Sequence, residues 1–136
     1  MTDIYINLAV SDLPRAVTFY EELGFSFDPR FTDETATMMN ISDHIKVMLL
    51  TRNRFQEFTP RTIVDAHKSV ECLNSLSMPN KESIDSLMTK ALSLGAKEPM
   101  PVQDHGFMYG RVFSDLDGHT WDLVWMDSAY IDSLGE

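Results

Sequence analysis

Along the first ten residues apolar and polar positions take turns. Ile4, Ile6, Leu8 and Val10 fall on one side of an extended chain, and Tyr5, Asn7 and Ala9 fall on the other. This period of two predicts a strand with one apolar and one mixed face. In "SDLPRAVTFYEELG" the period changes. Leu13, Ala16, Val17, Tyr20 and Leu23 recur at helical spacing; Ser11 or Asp12 can cap, Pro14 suits a first turn, and Gly24 closes the helix in the left-handed region. Three short strands are predicted next, in "FSFD", "ATMMNI" and "IKVMLLT", with "SDH" turning the chain between the last two. Arg52 to Lys68 contains Pro60 and no strong period. It reads as a connector, with Phe55 and Phe58 either pinned to the surface or lying over a pocket.

The pattern then starts again. In "SVECLNSLSM" a strand is predicted with Val70, Cys72, Asn74, Leu76 and Met78 on one face and Glu71, Leu73 and Ser75 on the other. Asn80 caps a second helix, whose stripe is Ile84, Leu87, Met88, Ala91 and Leu94 and whose end is Gly95. "KEPMPVQ" reads as a broken edge strand, because proline cannot donate to a ladder. "FMYGRVFSD" and "HTWDLVW" form a closing hairpin across Leu116, Asp117 and Gly118.

Each half therefore runs strand, helix ending in Leu-Gly, then three strands. The two Leu-Gly pairs, Leu23-Gly24 and Leu94-Gly95, stand 71 residues apart. One such unit cannot close a sheet on itself, whereas two can curl their sheets around a shared cleft. The expected fold is α+β: two tandem βαβββ modules forming a curved mixed sheet around a cleft, with the helices outside. Residues 1–136 form one domain in this reading, with module one at 1–51, a connector at 52–68, module two at 69–126 and a tail at 127–136. The mixed face of each first strand, Tyr5 and Asn7 in one half and Glu71 and Leu73 in the other, would line the cleft.

Composition narrows the function classes. At 136 residues and 43% hydrophobic the chain suits one compact soluble unit. The net charge of −10 argues against a nucleic-acid partner and against an anionic membrane surface. No apolar run approaches the ~20 residues of a membrane span, and "MTDIYINLAV" lacks the basic start and cleavage site of a secretory signal. With a single cysteine, Cys72, read here as inert core, the expected location is the cytoplasm. Lys46, Arg52, Arg54, Arg61 and Lys68 cluster despite the acidic balance. They are either a solvated connector or a positive rim that attracts an anionic small molecule. No P-loop, dinucleotide fingerprint, CxxC or nucleophile elbow is present, and "DLDG" reads as a turn rather than a calcium loop.

The stretches "NLAVSDLPRAVTFYEELGF" and "DLDGHTWDLVW", joined by the repeat between them, resemble the vicinal-oxygen-chelate superfamily: glyoxalase I, bleomycin-resistance proteins and extradiol dioxygenases. "FTDETATMMNISDHIKVMLLT" and "DHGFMYGRVFSDLDGHTWDLVWMD" look like a bacterial subgroup labelled predicted lactoylglutathione lyase. Metal-using members of the superfamily draw one ligand from the first and last strand of each half. By the strand landmarks, the resemblance carries those four positions onto Tyr5, a residue at or beside Leu49, Leu73 and Asp122. Nickel or zinc wants several nitrogen or oxygen donors, and two leucines supply none. The implied cofactor is therefore none, with a divalent nickel or zinc ion as the alternative. The resemblance also implies a homodimer.

The candidate residues follow from these readings. Asp122 stands between Trp121 and Leu123 and points inward with Thr120 and Val124. It is a structural hydrogen-bonded acid, a ligand-recognition group, or a catalytic base or metal ligand. Glu71 and His105 are the other catalytic candidates, one as a second inward acid and one as an imidazole beside the cleft. His44, His67 and His119 read as solvated. Tyr109 and Arg111 share a face, and Arg111 is the best candidate for holding an anionic group unless it is tied to one of the many acids. The ligand-binding set is Tyr5, Asn7, Leu49, Leu73, Tyr109, Arg111 and Asp122. The expected function is binding of a small, partly apolar molecule, with an anionic group where Arg111 points inward, in a metal-free cleft. The rival is a metal-dependent lyase or isomerase of the glyoxalase I type; metal-free acid–base catalysis by Asp122, Glu71 and His105 is a third possibility.

Overall fold

Local signals place the elements. In the computed structural model, which describes residues 1–135, β1 (Ile4–Val10) leads into α1 (Leu13–Glu22). Asp12 caps that helix by accepting a hydrogen bond from the Arg15 N–H, and Gly24, at φ 101°, ends it. β2 (Ser26–Asp28), a 3-10 turn at Pro29–Phe31, β3 (Ala36–Asn40) and β4 (Ile45–Thr51) complete the first sheet, whose strand order is β1-β4-β3-β2. The connector begins as a short helix, α2 (Arg52–Gln56), which lies against β1 and β4. Thr51 caps it.

The second half repeats the plan. β5 (Leu73–Ser77) is followed by α3 (Lys81–Ser93), β6 (Gln103–Asp104), β7 (Met108–Ser114) and β8 (Thr120–Met126), in the order β5-β8-β7-β6. Asn80 and Ser83 form a capping box at the start of α3, and Gly95, at φ 105°, follows its end. In both sheets the first strand runs parallel to the last, and the remaining pairs are antiparallel. Two mixed four-stranded sheets with identical strand order are what an α+β tandem duplication requires. The tail forms a short helix, α4 (Ser128–Leu134), capped by Asp127. The Cα trace divides into two compact units, residues 1–69 and residues 70–136.

Strand pairing fixes which side chains share a face, because cross-strand partners project to the same side. In the first unit Ile6 pairs with Val47, Leu8 with Leu49, and Thr37 with Leu49. Thr37 lines a cavity of about 340 Å³ together with Leu13, Pro14, Val17 and Thr18 of α1. The helix therefore sits on the Thr37–Leu49 side, where Val47, Leu49 and Met39 are fully buried beneath Ala16, Phe19 and Tyr20 of the helix stripe. Tyr5, Asn7, Lys46 and Met48 occupy the opposite side. In the second unit Asp85 of α3 meets both Tyr109 and Arg111, so α3 covers the side that carries Tyr109, Arg111, Phe113, Trp121 and Leu123. Ile84, Met88 and Ala91 of α3 complete that core.

Cys72 departs from its expected place. It is exposed and free just before β5, with its Sγ 3.7 Å from Asn74 Oδ1. Regular pairing does not begin until Leu73, so the strand alternation that would have turned Cys72 inward does not reach it.

Candidate functional site

Asp122 stands on the face of the second sheet opposite α3. Its strand partners are Ser75 on β5 and Val112 on β7. Thr120 and Val124, two residues away along β8, share the face, as does Leu73. Ser75 Oγ donates to Asp122 Oδ2 at 3.4 Å, the long end of a hydrogen bond. Toward β7, Gly110 presents no side chain; a Cβ there would stand 3.8 Å from Asp122 Oδ1. Asp122 and Leu73 thus share the face opposite Trp121 and Leu123.

Four other site residues lie elsewhere than expected. Arg111 and Tyr109 point away from Asp122, into the α3 side. The β7–β8 register pairs Val112 with Asp122, which puts Arg111 with Leu123 and Tyr109 with Trp125 on the other face. There Arg111 donates to both carboxylate oxygens of Glu98, at 2.9 Å each, and to Asp85 Oδ1 at 3.0 Å. The Tyr109 hydroxyl donates to the same Asp85 oxygen at 2.6 Å. Leu49 is also reversed: it lies under α1 with no exposed surface, and its neighbour Met48 takes the side shared with Asn7. Glu71 precedes β5 and is exposed in a bend. Extending the β5–β8 register backward would set it opposite Gly118, in a turn that offers no strand to pair with.

The electrostatics follow these contacts. The Tyr109 hydrogen bond, and then Arg111, hold the Asp85 carboxyl below its ordinary value. Glu98 is lowered chiefly by Arg111, and Tyr109 is raised chiefly by Asp85. Arg111 is thus spent within the protein, and the anion-binding role expected of it has no free guanidinium. Lys81 of α3 adds a cation over the rings of Tyr109 and Trp125, at 5.6 and 5.5 Å.

His105 is exposed in the turn between β6 and β7, where its backbone N–H donates to the Met108 carbonyl. Its ring stacks on Phe107, which stacks in turn on Tyr130 of α4 at 4.0 Å. Tyr5 and Asn7 are exposed on β1, on the side away from α1, and Asn7 Nδ2 donates to the Tyr5 carbonyl at 3.4 Å.

The duplication gives an internal check on the metal positions. The N-caps Asp12 and Asn80 are equivalent. Aligning them matches Tyr5 to Leu73 and Asn7 to Ser75, and strand pairing then matches Met48 to Asp122. The corrected donor set is a phenol or an amide, a thioether, a hydrocarbon or a hydroxyl, and one carboxylate. Nickel and zinc sites are built from imidazoles, thiolates and carboxylates, and this set does not fit them. Among the described residues no group of three or more His, Cys, Asp or Glu side chains is placed to hold a metal ion.

Val112 and Gly110 were not singled out by sequence reasoning, and Ser75 was placed on this face without a role. The signal for the second unit was present in "MYGRVF". Phe113 alternates in step with Tyr109 and Arg111, and so bulky an aromatic marks the covered side, leaving Gly110 and Val112 for the other. "VMLLT" gave no such signal, because Leu49 and Leu50 are both apolar.

Residues 4–42 match a family described as bleomycin resistance protein-like N-terminal. None of the curated proteins matches the sequence. Among solved structures, a hypothetical protein from S. aureus is similar, with 25% identity, 92% of this chain and 94% of that chain covered, and a TM-score of 0.79. A glyoxalase/bleomycin resistance protein/dioxygenase family enzyme from Burkholderia phytofirmans shows 15% identity, coverage of 90% and 96%, and a TM-score of 0.74. A genomically encoded fosfomycin resistance protein from Listeria monocytogenes shows 15% identity, coverage of 92% and 93%, and a TM-score of 0.66. The last two likenesses are of fold. Over nearly its whole length the chain has the fold of these structures, and over residues 4–42 its sequence matches the bleomycin resistance protein-like N-terminal family.

Proposed function

We propose that the chain is a binding protein that takes a small, partly apolar molecule without a metal, with Asp122 as its polar anchor. One observation carries this reading: among the positions where the superfamily resemblance expects metal ligands, Asp122 is the sole anionic group. Its counterpart by internal symmetry is Met48. A carboxylate framed by Leu73, Val112 and Val124 is suited to orient one polar group of a ligand whose remainder meets hydrocarbon. The relatives include proteins named as enzymes and one named for drug resistance, so their names do not choose between chemistry and sequestration. A lyase of the glyoxalase I type would keep Asp122 as its proton carrier but would lack donors for the ion it needs. Acid–base catalysis by Asp122, Glu71 and His105 together loses support, because Glu71 lies outside the strand and His105 is stacked in an exposed turn.

The homodimer and the cytoplasmic location belong to this proposal. An exposed, free Cys72 suits a reducing compartment. No helix among the described residues is long and apolar enough to cross a membrane. The test is a small-molecule thermal-shift screen run with and without a chelator, beside elemental analysis of the purified protein. Ligands that raise Tm equally in both arms are expected. Stoichiometric nickel or zinc, lost in Asp122→Ala, would sink the reading.

A further inference from the structure

We infer that the ligand seated at Asp122 carries a positive charge: an ammonium or amidinium group on a compact apolar body. This rests on the binding reading above and deepens it. The sequence pointed to an anion, because Arg111 was expected beside Asp122. The structure removes that cation from the face and leaves the carboxylate.

The side-chain donors that share the face of Asp122 on β5 and β8 are neutral hydroxyls, those of Ser75, Ser77 and Thr120. An ionised carboxylate has about four acceptor sites. Among the described residues, Asp122 is met by a single long hydrogen bond, 3.4 Å from Ser75 Oγ. On β7 its neighbours are Val112, its strand partner, and Gly110, neither of which brings a side-chain donor. On β8 the flanking side chains of the same face are Thr120 and Val124. Lys97 pairs with Ser114, which shares this face. It lies on the side of β7 away from β8, and it makes no ion pair with Asp122. Arg111, on the neighbouring strand, is held by Glu98 and Asp85 on the other side of the sheet.

A group that supplied a charge-assisted N–H donor would therefore find carboxylate oxygens that no charged donor among the described residues engages, whereas a carboxylate or phosphate would meet like charge. The net charge of −10 acts in the same sense at long range, concentrating cations and repelling anions. Leu73, Val112 and Val124 would then take the apolar body.

Three probes of one shape test this: benzylamine, benzyl alcohol and phenylacetate, titrated into the full chain and followed by backbone amide NMR. Benzylamine is expected to shift the Ser75, Val112 and Asp122 resonances saturably and to bind more tightly than benzyl alcohol, with phenylacetate weakest. Asp122→Asn, nearly isosteric and checked for fold by its spectrum, should weaken benzylamine about tenfold and leave benzyl alcohol unchanged. Ser75→Ala should keep the preference for the amine. The inference is overturned if either other probe binds as tightly as benzylamine, or if Asp122→Asn leaves the benzylamine affinity intact. If benzyl alcohol still binds at this face in that event, the broader binding reading stands. If the face is silent to all three probes, both fall.

Discussion

Arg111 grips Glu98 with both sides of its guanidinium, Nε to Oε2 and Nη2 to Oε1, each at 2.9 Å. The pair ties β7 to the segment after α3, and Arg111 Nη1 extends the tie to Asp85 on the helix itself. Both partners of the main pair are largely shielded, with side-chain exposures of 16% and 22%. Arg111→Met should therefore cost about 2 kcal/mol in urea unfolding, since it strands Glu98 without its partner. It should leave ligand affinity at Asp122 unchanged, because the side chain faces the opposite side of the sheet.

Acid should weaken the same cluster. Tyr109 and Arg111 lower Asp85, and Arg111 lowers Glu98. A carboxyl with a depressed folded-state pKa contributes stability that is present above its unfolded value, near 4, and is lost as pH falls through the folded value. Urea midpoints should therefore fall between neutral pH and about pH 3, and the fall should be smaller in Arg111→Met. Asp85 is half-exposed, so Glu98 should dominate the effect.

Two leucines that the family resemblance treats alike should behave differently. Leu49 is fully buried under α1, whereas Leu73 is 62% exposed. Leu49→Ala should cost about 2–4 kcal/mol, and Leu73→Ala should stay within about 0.5 kcal/mol. Chemical denaturation of the two variants measures the contrast directly. An equal cost would show that the β1–β4 register is misassigned.

The matching helix ends should also differ. Gly24 and Gly95 both hold positive φ, and alanine is strained at either. A Cβ at Gly24 meets nothing within 4 Å, whereas one at Gly95 comes to 3.2 Å from Leu116 Cδ2. Gly24→Ala should cost about 1 kcal/mol and Gly95→Ala more, about 2 kcal/mol. Differential scanning calorimetry of both proteins tests the order.

Much of this protein was legible along the chain, because the signals are local. Alternation marked β1, the stripes and caps at Asp12 and Asn80 marked the helices, and Leu-Gly at both helix ends exposed the duplication. The face taken by Asp122 was readable for the same reason: Trp121 and Leu123 on either side of it claim the side covered by α3. What the chain could not express was register. A shift of one residue between strands exchanges the two faces, and the pairing that forbids that shift joins segments distant in sequence. That pairing turned Leu49 under α1 and Met48 out and left Glu71 with no strand to join; it also set Val112 beside Asp122, which the bulky Phe113 in step with Arg111 already indicated. The sequence determined which elements form and that one acid looks away from the helices; only their association decided which neighbours that acid has, and hence the charge it can accept.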